Sequence, residues 1–142
     1  MKSKSTGKLK VVIDTNTIIS APFSEDGNPA KIFELLLLEK ILNFTSDDII
    51  AEIKGVFARS RILKYISAEK INFIIENYLK FSVKVNPQIK LSIITDDPDD
   101  NIVLECAENA KVDFVISGDK HLKDLKEYKG IRILSAAKFL DL

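Results

Sequence analysis

Apolar positions along this chain alternate between short unbroken runs and helical spacings, from Lys10 to the end. Lys10-Val11-Val12-Ile13-Asp14 is a β-branched run closed by an acid, the pattern of a buried strand. Ser24 to Asn28 reads as a loop, and Pro29 suits the first position of a helix capped by Asn28. That helix carries Ile32, Phe33, Leu35, Leu36 and Leu37, a face broad enough to meet more than one neighbour. Ile41 to Thr45 predicts a second strand. Ser46-Asp47-Asp48 then opens a helix, a cap followed by two acids that suit the positive end of the helix dipole. Its inner face is Ile49, Ile50, Ile53, Val56 and Phe57, and a further helix capped by Ser67 runs through Ile71, Ile74, Ile75, Tyr78 and Leu79.

The second half repeats the alternation. A short strand around Ser82 to Val85 is followed by a loop with Pro87, and the acidic turn Asp96-Asp97-Pro98-Asp99-Asp100 leads into a helix from Asn101 to about Lys111. Asp113 to Ser117 is the next strand, ending at Gly118-Asp119; a helical turn near His121 to Leu125 precedes a last strand, Ile131 to Leu134, and a closing helix over Ala136 to Leu142. Strands alternating with helices predict an α/β fold whose mostly parallel sheet, of about five strands, is covered on both faces.

Composition narrows the class. With 142 residues, 46% apolar and 30% charged, the chain is sized and balanced for one globular domain over 10–142, preceded by a flexible basic tail over 1–9. Lys and Arg number 21, as do Asp and Glu, which excludes coating nucleic acid by bulk charge but leaves room for a local basic rim. The single cysteine, Cys106, makes no internal disulfide and lies on the apolar side of its helix with Ile102, Val103 and Ala110, so core packing is expected. No zinc-ligand spacing is present. The sequence shows no bilayer-length apolar run and no signal-peptide core, so a cytoplasmic location is expected.

The chemistry-bearing residues are acids. Open parallel sheets place ligands at the carboxyl ends of their strands, where strand order reverses, and Asp14 and Asp119 both follow strand runs. If those two strands are neighbours across the switch point, the carboxylates converge. Glu52 lies three residues after Ile49 and four before Val56, on the margin of a buried helix face, where a carboxylate needs a partner. Asp100 sits at a helix start, where it either caps the backbone or reaches inward. Such carboxylates, brought together, repel and raise one another's pKa unless a cation balances them, and oxygen-only clusters suit hard divalent ions such as magnesium or manganese. That is the chemistry of phosphodiester hydrolysis, which needs no Ser, Cys or His nucleophile and suits a chain with one histidine.

The four segments Val12-Ile13-Asp14-Thr15-Asn16, Ser46-Asp47-Asp48-Ile49-Ile50-Ala51-Glu52, Asp97-Pro98-Asp99-Asp100-Asn101 and Ile116-Ser117-Gly118-Asp119, in this order, resemble the PIN-domain ribonucleases. The similarity is nearest to PIN proteins that are toxin components of toxin–antitoxin pairs. The resemblance implies a three-layer α/β/α domain that cuts single-stranded RNA with Mg2+ or Mn2+. By matching position, Asp14, Glu52, Asp100 and Asp119 are the metal-binding, catalytic acids, with Asn16 and Ser117 as the polar residues that steady them. Arg59, Arg61, Lys64 and Lys120 are candidates for gripping RNA phosphates. A small antitoxin partner and homodimerisation are implied in the same way, and the run Leu35 to Leu38 fits either core or a subunit contact.

Plainer readings stand beside these. Asp14 and Asp119 could simply end strands or cap turns, Glu52 could pair with Arg59 or a nearby Lys, and Asp100 or Asp99 would make a helix cap. His121 could touch a phosphate or be an ordinary surface or core residue. Two rival functions differ in class. A phosphatase with a strand-end Asp nucleophile expects a second acid two residues on, where this chain has Asn16. A catalytically silent PIN-like module would bind RNA or protein without cutting. Nucleotide binding is excluded earlier, because neither a P-loop nor a G-x-G-x-x-G follows any strand.

Overall fold

The computed structural model describes residues 7–91 and 99–142, so most of the basic N-terminal tail and the Asp96-Asp97-Pro98 part of the acidic turn lie outside the described residues. Six strands form one sheet in the order β3-β2-β1-β4-β6-β5, from β1 (Leu9–Ile13), β2 (Ile41–Thr45), β3 (Ser82–Lys84), β4 (Phe114–Ile116), β5 (Glu127–Tyr128) and β6 (Ile131–Leu134). All neighbours are parallel except β5 and β6. Val11, Val12 and Ile13 alternate between the two faces of β1 and are all fully buried, so helices cover the central strand on both sides. The fold is α/β, and the chain leaves β1 toward β2 on one side and returns on the other as β4. The switch point therefore lies between β1 and β4, as expected for converging acids.

The helices follow their apolar spacing. They are α1 (Thr15–Ser20), α2 (Asn28–Leu37), α3 (Asp47–Phe57), α4 (Ser60–Leu63), α5 (Ala68–Phe81), α6 (Asp99–Ala110), α7 (Lys120–Leu125) and α8 (Ala136–Leu140). α6 packs over β1, β2 and β4, burying Val103, Leu104, Cys106 and Ala107. Cys106 is thus a core residue, and burial pushes its thiol up to about 12, which leaves it unreactive. Ser46 and Ser67 cap α3 and α5 as expected, accepting from the N–H of Ile49 and Lys70.

Four local readings change. Gly27, not Asn28, caps α2: its extended backbone admits the turn, its carbonyl accepts from Lys31, and Asn28 falls inside the first turn beside Pro29. Helix α1 was not anticipated, because six residues of Thr, Asn, Ile and Ser have poor intrinsic helix propensity. It forms because Asp14 caps it and its Ile18 and Ile19 are buried. Helix α4 is a single turn between α3 and α5. The sixth strand, β5, is two residues long and pairs antiparallel with β6 across Lys129-Gly130, both at positive φ (50° and 82°), a two-residue hairpin turn.

A polar strip runs through the buried side of β2. Asn43 is fully buried, and its Oδ1 accepts the Ile13 N–H at 3.0 Å where pairing between β1 and β2 stops. Its Nδ2 donates to Ser82 Oγ of β3 at 2.9 Å. Tyr78 of α5 donates to Thr45 Oγ1 at 2.7 Å, and burial pushes the phenol well above its ordinary pKa. Asn43 therefore ties three strands together just below the residue that follows Ile13, which is Asp14. Asn43→Leu should leave the Ile13 amide buried without its acceptor and cost about 1–3 kcal/mol, read as a lower denaturant midpoint with an unchanged slope.

Candidate functional site

Asp14 stands where β1 ends and α1 begins, held by the strand ladder: its N–H donates to the Ile116 carbonyl of β4 at 3.0 Å. The residue is almost wholly buried, and its two oxygens do different work. Oδ1 accepts the Thr17 N–H at 2.9 Å and caps α1, while Oδ2 accepts the hydroxyl of Ser117. Ser117, itself fully buried at the end of β4, also accepts the Asp119 N–H at 3.0 Å. One hydroxyl thus joins the Asp14 carboxylate to the backbone of Asp119. Asp119 in turn caps α7, its Oδ1 accepting the N–H groups of His121 (2.8 Å) and Leu122 (3.3 Å).

The capping reading of Asp14 and Asp119 is therefore realised, in side chains that stand just past the carboxyl ends of two neighbouring strands. Each carboxylate is aimed by the helix that it caps, and the caps fix rotamers that a solvated acid would not hold. The electrostatics follow. Burial raises the pKa of Asp14, the hydrogen bonds from Ser117 and Thr17 oppose that rise, and the charge of Asp119 adds to it. A buried acid pushed toward its neutral form by loss of water and by a neighbouring carboxylate is a place where a cation is favourable.

Glu52 lies half-buried on α3, as its helical position implied, and its Oε1 accepts the Thr15 hydroxyl at 2.6 Å. Thr15 follows Asp14 directly, so this contact draws α3 to the same end of the sheet, and α1 and α3 pack together. Asp100 is buried in the first turn of α6, with its Oδ2 enclosed and accepting no hydrogen bond while the residue keeps other polar contacts. Among the described residues no three His, Cys, Asp or Glu side chains stand close enough to hold a metal ion together. The arrangement consists of a joined pair, Asp14 and Asp119, with Glu52 fastened to the residue beside Asp14, and Asp100 placed on the helix that roofs β1 and β4. The side chains offer oxygen atoms alone, which suits a hard divalent ion.

Other expected residues fall less centrally. Asn16 is exposed on α1 and lines a cavity of about 420 Å³ with Thr17, Ser20, Gly118, Asp119 and Lys120. The side-chain hydroxyls that hold the acids are those of Ser117 and Thr15, and only Ser117 was expected in that role. Thr15 had a readable signal, a β-branched hydroxyl beside a strand-end acid. Arg59, Arg61 and Lys64 are exposed around α4, and Lys120 pairs at the surface with Asp124 at 3.1 Å, a bond too weak to keep it from a phosphate. His121 is half-buried, and its backbone N–H serves the Asp119 cap. A further buried acid escaped sequence reading: Glu105 of α6 accepts the Leu91 N–H at 2.8 Å, fastening the stretch after β3 to α6.

An α/β sheet with acids gathered at its switch point defines a class, and the chain matches the PIN-domain family model over residues 10–121, a span that includes every one of these acids. The chain belongs to the PIN-domain family, a family of nucleases that generally use divalent metal ions. It is 38% identical over 121 residues to an uncharacterized protein of Methanocaldococcus jannaschii, an alignment spanning 84% of this chain and 77% of the relative. Its fold is similar to a chain in the crystal structure of VapBC2 from Rickettsia felis bound to a DNA fragment from their promoter, with a TM-score of 0.58 and 13% identity over 88% of this chain and 97% of that one. Among the described residues no helix is long and apolar enough to cross a membrane.

Asp14→Asn tests the electrostatics directly, because Asn keeps an oxygen for the α1 cap and removes the charge. In metal-free protein at pH 7 the variant should melt higher than wild type, by about 2–4 °C for each kcal/mol recovered in a domain of this size. A raised carboxylate stabilises the fold below its ordinary value of 3.8 and loses that contribution as pH rises through its folded value. The advantage of the variant should accordingly vanish near pH 4 and grow toward neutrality, as read by melting curves in EDTA across that range.

Proposed function

We propose that this chain is a metal-dependent endoribonuclease that hydrolyses phosphodiester bonds of single-stranded RNA in the cytoplasm. The observation that carries the proposal is the Ser117 bridge between Asp14 and Asp119 at the switch point of a PIN-family sheet. Asp14 and Asp119 would hold the ion, with Glu52 and Asp100 as the further carboxylates on α3 and α6. When bound, a divalent ion supplies a water of lowered pKa and steadies charge on the phosphoryl oxygen. The chain's own part is to fix the acids. The Asp119 carboxylate is held by the N–H groups of His121 and Leu122 that it caps, while Ser117 donates to Asp14, so the Asp14 carboxylate cannot swing away without breaking a buried hydrogen bond. Thr15 does the same for Glu52. The cavity lined by Asn16, Ser20, Gly118 and Lys120 gives a phosphodiester strand access to Asp119, and Lys120 can exchange Asp124 for a phosphate. Arg59, Arg61 and Lys64 offer further cations beyond α3. Whether Mg2+ or Mn2+ serves is a matter of ion size and supply that an oxygen donor set accommodates either way.

We further propose that the chain is the toxin of a toxin–antitoxin pair. The motif resemblance supports this, together with the likeness of fold to the VapBC2 chain. Homodimerisation is supported by the end of α2, where Leu38 is 58% exposed next to half-buried Leu35 and Leu37. The phosphatase reading loses support because both oxygens of Asp14 are already engaged, one in a helix cap and one with Ser117. A silent binding module is the alternative with an observation behind it, the lack of a preformed three-acid cluster among the described residues.

Purified protein incubated with labelled single-stranded RNA should cleave it with added Mn2+ or Mg2+ and not in EDTA, and Asp14→Asn should lose the activity by a factor of about 100 or more while staying folded. Cleavage that persists in the variant would point to a contaminant. Metal-independent RNA binding without any cleavage by folded wild type would establish the binding module instead.

A further inference from the structure

Beyond the acidic centre, α7, the β5–β6 hairpin and α8 enclose a cavity of about 570 Å³, within the ~300–1,000 Å³ range of ligand clefts. Its charged lining is Lys123, Lys126, Arg132 and Lys138 against a single acid, Glu127. At other places on the surface Lys84 pairs with Asp47, Lys90 with Asp48, Lys120 with Asp124 and Lys129 with Glu108. Among the described residues, no ion pair involves any of the four cations of this cavity. Glu127 stands opposite Arg132 in the hairpin register, and Arg132 also lies over the Phe114 ring, so the three lysines carry the uncompensated charge. In a chain with equal numbers of acids and bases, such a gathering is a local positive field.

The position of this field relative to the acids is fixed by the backbone. Lys123 N–H donates to the Asp119 carbonyl at 2.9 Å, one helical turn from the site, and the Leu134 carbonyl, at the cavity's other wall, accepts the Ser117 N–H at 2.9 Å. The basic cavity therefore begins one helical turn from Asp119 and one strand from Ser117. We propose that this cavity is a phosphate-binding subsite that holds the RNA backbone next to the bond being cut. The proposal rests on the nuclease reading for its substrate, but binding at the cavity requires neither metal nor turnover. The lysines act as point charges on a flexible strand, so the subsite selects backbone and not base.

The experiment measures binding of a fluorescent single-stranded RNA to the full chain in EDTA, by anisotropy, over a series of salt concentrations. Lys126→Gln with Lys138→Gln removes two cations whose side chains are exposed, and circular dichroism checks the fold. For single strands each phosphate contact contributes about 0.7 to the slope of log K against log salt, so the double variant should bind several-fold more weakly at low salt with a slope smaller by about 1.4. Lys70→Gln with Lys80→Gln, on α5, serves as the charge-matched control and should leave both quantities unchanged. Equal slopes and affinities for wild type and the Lys126/Lys138 variant would overturn the proposal. So would saturation of the cavity by inorganic phosphate or a mononucleotide, seen by amide shifts at Lys126 and Lys138, with RNA affinity unaffected; that result would make it a small-anion site. Absence of cleavage in the metal experiment, with the salt effect present, would remove the nuclease reading and leave the subsite standing.

Discussion

One carboxylate, that of Asp14, must be kept buried at the end of a sheet against its preference for water, and the hydroxyl of Ser117 is what holds it. Its hydrogen bond to the Asp14 carboxylate and its acceptance of the Asp119 backbone N–H tie the ends of β1 and β4 into one unit. The rest of the fold serves that unit. β1 and β4 are hydrogen-bonded neighbours in register Ile13 to Ile116, so the residues that follow each strand emerge together. Asn43 closes the gap where β2 stops pairing with β1, and so fixes the height at which Asp14 leaves the sheet.

The charge pattern extends this logic outward. Buried acids at the switch point would attract a cation and repel a polyanion, so a nucleic-acid strand needs compensating charge close by. Within a chain of no net charge, Lys123, Lys126 and Lys138 gather at the α7–α8 cavity, and among the described residues none of them is in an ion pair. Local arrangement, and not total charge, decides which ligand the surface accepts.

Much of this arrangement could be read in the sequence, for identifiable reasons. Val11 to Ile13 and Phe114 to Ile116 are β-branched or aromatic runs that end in polar residues, and a parallel sheet makes such ends meet. Glu52 was readable from its helical phase. What stayed hidden depended on contacts between distant residues or on very short elements. Asn43 looks like a polar interruption of a strand until its partner 30 residues away is known. α1 is too short and too rich in Thr and Ile to announce itself, and β5 has two residues. Thr15 and Glu105 take their meaning from Glu52 and Leu91, neither of which is a sequence neighbour.

The N-terminal cap of α1 carries one more implication. Because Asp14 both begins a helix and faces the site, its two duties can be separated by substitution only in one direction. Were the proposed activity abandoned, a descendant of this chain would be free to lose the charge but not the oxygen over Thr17, so drift at this position should run to Asn or Ser before Ala or Val. An inactive member of the lineage would then still look polar at the end of its first strand, and a polar residue there is weaker testimony to activity than the carboxylate itself.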